Sequence, residues 1–185
     1  MPGKTGLTVT PAHRAEWERS RVKETLISLN VVSIHDPREL DALLNRNTGN
    51  RWKHSTDLVP GWGVMGVDPR TGEKDFSSFQ FKPDKPDLIG NTGGKPPKYL
   101  QPNGQPPKPI FLDTGDKNYW PSILSDTSNC VFIVEGAKKA GCLLSLGLPA
   151  IAITGCYNGA PGNKLNDLIA LFCQGKRRIY LVPDG

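Results

Sequence analysis

The sequence predicts an α/β protein whose parallel sheet carries helices on both faces, preceded by a small helical segment and a β-rich basic subdomain. Three observations predict it. Val131-Phe-Ile-Val134, Ala150-Ile-Ala-Ile153 and Arg178-Ile-Tyr-Leu-Val182 are short continuous apolar runs, the pattern of strands buried on both faces. Stretches with helical apolar spacing separate them, Lys138 to Leu146 and Leu165 to Phe172. Strand–helix–strand repeats of this kind build parallel sheets through right-handed crossovers.

The elements follow in chain order. Residues 1–9 form a basic terminus. Thr10 caps and Pro11 opens a helix that continues from Ala12 to Arg19. Val22, Leu26 and Leu29 share one face of a second helix, Val22 to Leu29. Asp36, Pro37 and Glu39 start a third, with Leu40, Leu43 and Leu44 as its apolar stripe. These helices, residues 1–46, read either as a helix-turn-helix or as a small packing subdomain.

From 47 to 124 the texture changes. Gly61 to Val67, Phe76 to Phe81 and Pro109 to Leu112 are short strand-like runs between turn residues. Eight prolines between Pro83 and Pro109 exclude a regular central strand there. The same stretch carries Lys82, Lys85, Lys95, Lys98 and Lys108, with Tyr99 among them. A linker, Ser125 to Asn129, opens the α/β segment, residues 125–185, where Gly147 fits a helix C′ position and Pro149 a stop.

Composition limits the function. The net charge of +5 and isoelectric point near 9.1 favour an acidic partner such as nucleic acid. The four cysteines form no CxxC pair and lie far in sequence from the three histidines, so no structural zinc site is expected. No run of 18 apolar residues and no signal peptide is present, so a reduced, cytoplasmic location without membrane contact is expected.

The chemistry concentrates at Glu135. A buried strand has little use for a carboxylate unless it pairs, binds metal or reacts, and open α/β sheets place ligands at strand carboxyl ends. Asp184 follows the third strand in the same way, although Pro183-Asp184-Gly185 is also an ordinary turn. If the two strands are neighbours, both carboxylates face one crevice and can hold Mg²⁺.

Val131-Phe-Ile-Val-Glu-Gly136, Ala150-Ile-Ala-Ile-Thr-Gly155 and Ile179-Tyr-Leu-Val-Pro-Asp184 together resemble a Toprim domain, the fold of bacterial replicative primases, topoisomerases and related nucleases. The resemblance implies acid/base or metal chemistry at Glu135 and a Mg²⁺-binding Asp-x-Asp pair whose first member is Asp184. The second would fall one residue beyond Gly185, so the chain reads as truncated. Upstream, Gly63-Val-Met-Gly66, Phe81-Lys82 and Lys98-Tyr-Leu-Gln-Pro102 are similar to the basic region before the primase core. Glu135-Gly-Ala-Lys-Lys-Ala140 is similar to an uncharacterised Toprim-like family of plasmid, phage and cyanobacterial replication proteins, often followed by a helicase-type ATPase.

The resemblance implies a DNA-replication protein with a primase-like core. It would perform Mg²⁺-dependent nucleotidyl transfer on single-stranded DNA, with nucleotides as substrates and a replicative helicase or ATPase as partner. Lys82, Lys95, Lys98, Tyr99, Lys138 and Lys139 would bind nucleic acid, and Glu135 would be catalytic. Two departures keep other readings open. No zinc-binding module precedes the core, and Lys138 and Lys139 replace an acidic residue, against the dipole of the helix they begin. A non-catalytic replication-initiator domain and a Toprim nuclease are the alternatives. Tyr99 and Trp120 read as packing residues as well as base platforms.

Overall fold

A computed structural model describes residues 8–46, 55–85, 98–155, 159, 160, 162 and 164–182. The described elements are α1 (Pro11–Arg19), α2 (Glu24–Asn30), β1 (Val31–Ile34), α3 (Pro37–Leu43), a 3-10 turn (Ser55–Asp57), β2 (Gly61–Val67), β3 (Lys74–Pro83), α4 (Tyr119–Ser125), β4 (Val131–Glu135), α5 (Ala137–Ser145), β5 (Ala150–Ile153), α6 (Asp167–Ala170) and β6 (Ile179–Val182).

Two three-stranded sheets organise the molecule. The first is antiparallel in the order β1-β2-β3, and the second is parallel in the order β5-β4-β6. The parallel sheet agrees with the α/β expectation, and β4 and β6 are indeed neighbours, with Val134 opposite Val182.

The helix starts follow their sequence cues. The Thr10 hydroxyl accepts from His13 N at 3.4 Å, and the Asp36 carboxylate from Arg38 N at 2.8 Å. Other elements differ from expectation. Val31–Ile34 is a strand, because its apolar side chains complete the edge of the antiparallel sheet opposite Gly61–Val64. This strand separates α2 from α3, so the three helices do not form one helix-turn-helix unit. The second helix begins at Glu24, and Val22 packs instead on Gly141 of α5. Tyr119–Ser125 is helical, and α6 spans Asp167–Ala170 only.

The run Pro109 to Leu112 forms no strand. It joins the two sheets. Ile110 N donates to Ala152 O at 2.8 Å on β5, and Val67 N at the end of β2 donates to Phe111 O at 2.8 Å. Gly66 permits this approach: a Cβ there would lie 2.4 Å from Phe111 O.

The larger core runs through both sheets, from Trp17, Ile27 and Trp62 through Phe111 and Trp120 to Val134, Ile151 and Phe172. A smaller core lies on the other face of the antiparallel sheet, where Phe79 and Phe81 pack with Ile34, Leu40 and Leu44. Gly63 makes room for Phe79, whose ring would sit 2.3 Å from a Cβ. Trp120 is 1% exposed and donates from Nε1 to Leu112 O at 2.8 Å, which rules it out as a base platform.

Buried polar groups tie the loops down. Asn30 donates to Asp113 O and accepts from Asp113 N, at 2.8 and 2.7 Å. Arg177 donates to the carbonyls of Ile123, Leu124 and Asn129 at 2.7, 3.1 and 3.1 Å. The first two belong to the last turn of α4, where a cation meets the negative end of the helix dipole.

Candidate nucleic-acid interface

The carboxyl ends of β4 and β5 open on a cleft of about 480 Å³. Parallel pairing of Glu135 with Ile153 sets the register, so Glu135 and Thr154 reach the same edge. The opposite wall comes from the antiparallel sheet. Leu100 pairs with Phe81 through two backbone hydrogen bonds of 2.8 and 2.9 Å, which lays Lys98, Tyr99 and Gln101 alongside β3. Gln101 crosses the cleft to donate to Thr154 Oγ1 at 2.7 Å.

Of the residues expected to act, Glu135, Lys98, Tyr99, Lys138 and Lys139 line this one cleft. Lys95 and Asp184 lie outside the described residues. Lys98 is exposed, with Nζ 5.6 Å from the Tyr99 ring centroid. Tyr99 is half-buried and edge-on to Trp62, with centroids 6.0 Å apart. Burial, followed by the Glu16 charge, pushes its hydroxyl pKa up, so it stays protonated near neutrality.

Lys82 does not line the cleft. Its Nζ donates to Glu16 Oε1 at 2.8 Å, and Lys138 Nζ donates to the same oxygen at 2.8 Å. Trp62 Nε1 donates to Glu16 Oε2 at 2.9 Å. Both lysines also approach the Trp62 ring, at 5.7 and 5.9 Å from its centroid. Burial acts to raise the Glu16 pKa, but the hydrogen bonds from Lys138, Lys82 and Trp62 outweigh it and hold the carboxyl at about 2.

Glu16 thereby explains how α5 tolerates a lysine in its first turn: a carboxylate from α1 neutralises Lys138. Sequence reasoning missed Glu16. Nothing in the local pattern of α1 marks it, and only the fold brings it to its partners.

Lysines, a tyrosine and a glutamate at a central strand end thus share one cleft, and the fold that brings them together is similar to a solved structure. The crystal structure of the Aquifex aeolicus primase, zinc-binding and RNA polymerase domains, superposes with a TM-score of 0.57 over 95% of this chain and 43% of that chain, at 15% sequence identity. The fold is primase-like. Residues 119–185, which contain β4, α5, β5 and β6, match a domain of unknown function, DUF3854. An uncharacterized protein of Picosynechococcus sp. (strain ATCC 27264 / PCC 7002 / PR-6) is 31% identical over 82% of this chain. The chain spans 18% of that relative's length.

Donor chemistry at the strand end suits Mg²⁺ in one specific way. Glu135 supplies a hard carboxylate oxygen, while Lys98, Lys138 and Lys139 line the same cleft. A bare ion would meet this positive surroundings unfavourably. Mg²⁺ carried with phosphate oxygens and waters fits it, since this ion commonly takes only one or two protein carboxylates. Among the described residues, no group of three His, Cys, Asp or Glu side chains converges.

Proposed function

We propose that this chain is a Toprim-like, primase-related core that binds single-stranded DNA and nucleotides in the cleft between its two sheets. The observation that carries the reading is the placement of Glu135 and Lys139 in one cleft with Lys98 and Tyr99, at the carboxyl end of a parallel sheet. The primase-like fold supports it.

Lys98 and Lys139, both exposed, neutralise backbone phosphates, and Tyr99 offers an aromatic ring in the cleft lining. Lys95 extends the same basic stretch in sequence. Lys138 keeps its Glu16 partner while its stem forms the cleft wall, and Lys82 fixes the sheet beneath it. Glu135 acts as acid/base or metal ligand, with Asp184 as the second carboxylate, two positions after β6. When bound, Mg²⁺ would offset phosphate charge during nucleotidyl transfer. A replicative helicase or ATPase is the partner this reading implies.

The test is template-directed, Mg²⁺-dependent primer synthesis by a version extended past Gly185. Synthesis that disappears in Glu135→Gln supports the reading; no synthesis by the extended protein sinks the enzymatic part of it.

One observation favours a second reading, a non-catalytic binding domain of a replication initiator. Three lysines and one carboxylate are among the residues lining the cleft. Single-strand binding that falls with added salt, weakens in Lys98→Ala and survives Glu135→Gln, without synthesis, would favour it. Mg²⁺-dependent nicking of DNA would point to a nuclease instead.

A further inference from the structure

The inner wall of the cleft contains a polar side chain that the fold itself does not use. Residues alternate across β3. Phe79 and Phe81 point into the smaller core, so Ser78, Gln80 and Lys82 point to the opposite face. Two of those three are satisfied. Ser78 Oγ accepts from Gly66 N at 3.0 Å and donates to Asp75 O at 2.7 Å, and Lys82 is paired with Glu16.

Gln80 is different. It is 2% exposed and lines the cleft, no hydrogen bond of its side chain is seen among the described residues, and its amide is not among the fully buried unpartnered groups, so it keeps contact with the cleft space. Amides in so little-exposed a position are ordinarily paired within the protein, whereas this one is left to the cleft. A primary amide at this depth presents an adjacent donor and acceptor to whatever enters. Tyr99 and the Gln101–Thr154 pair border the same space. An aromatic side chain beside an amide is the chemistry that recognises a nucleobase: one packs against the base, the other pairs with its edge.

Resting on the phosphate-binding reading above, we propose that Gln80 is a specificity-determining residue. It would form a base subsite in which its amide pairs with the edge of a nucleotide whose phosphates lie on Lys98 and Lys139.

The test compares equilibrium binding of the four ribonucleoside triphosphates with that of inorganic tripolyphosphate, which has no base, using the 185-residue chain. The expected result is that the preferred nucleotide binds about tenfold tighter than tripolyphosphate. Gln80→Met, similar in volume and apolar, should bring that ratio close to one, leave tripolyphosphate binding unchanged and melt no lower than the wild type. Lys98→Ala should weaken both ligands by the same factor.

A ratio unchanged in Gln80→Met overturns the subsite, as does a lowered melting temperature in that variant, which would mark the amide as structural. Tripolyphosphate binding as tightly as every nucleotide also overturns it, while leaving the phosphate reading intact. No binding of either ligand type overturns both.

Discussion

Glu16 on α1 and Lys138 on α5, 122 positions apart in sequence, meet at 2.8 Å, and Lys82 on β3 reaches the same carboxylate oxygen. Three elements that share no local contact in the chain are thereby fixed to one another. The exposures of the three side chains, 19%, 24% and 18%, place the cluster below the surface yet within reach of solvent. Its role is to hold one wall of the cleft in place.

The pH dependence of stability should report this cluster. The folded-state pKa of Glu16 is about 2, against an ordinary 4.5. A depressed carboxyl pKa contributes stability that is fully present above the unfolded value and lost as pH falls through the folded value. The shift corresponds to ~3 kcal/mol unscreened, and about 1–2 kcal/mol once solvent screening is allowed for. Urea titrations of wild type and Glu16→Gln should therefore differ by that amount at neutral pH. The difference should shrink between pH 4.5 and about 2. A constant gap across that range would contradict the assignment.

Lys82 and Lys98 should separate cleanly in function. Lys82→Ala removes an ion-pair partner and leaves Glu16 less compensated, so its main effect should be a stability loss of about 1–2 kcal/mol. Lys98→Ala should leave stability within about 0.5 kcal/mol and lower single-strand affinity, reducing the salt slope by roughly 1. Fluorescence anisotropy at several salt concentrations, with thermal melts alongside, distinguishes the two.

Gly66→Ala should be strongly destabilising, by about 2–3 kcal/mol. Its new methyl would meet Phe111 O at 2.4 Å and Phe111 N at 2.9 Å, which are backbone atoms that cannot rotate away. Gly104→Ala is a useful contrast, since nothing lies within 4 Å of a Cβ there and only its positive φ of 75° resists the change. Denaturant midpoints measure both, and a Gly66→Ala cost below that of Gly104→Ala would refute the steric account.

Arg177→Met should cost about 2–3 kcal/mol, because three carbonyls on α4 and the following turn lose a charged donor. Hydrogen exchange should locate the change at the amides of α4 and its following turn. Uniform loss of protection across the chain would show instead that Arg177 supports the whole core.

The sequence by itself determined the parallel sheet, because continuously apolar runs separated by helical spacing leave few other topologies, but the expected burial fails for β6, an edge strand on which Tyr180, Leu181 and Val182 are exposed. It also placed Glu135 at a strand end and marked Thr10 and Asp36 as caps, since these depend on residues adjacent in the chain. β1 escaped notice because four residues next to a helix carry little periodicity of their own, and its partner β2 is thirty positions away in sequence. Tertiary structure alone decided which lysines face the cleft and which are tied to Glu16. It alone gave Gln80 its buried place beside Tyr99 and set Gly66 against Phe111. Those relationships depend on how two sheets are held against each other, and the alternation of residues along a strand cannot specify which partner waits on either face.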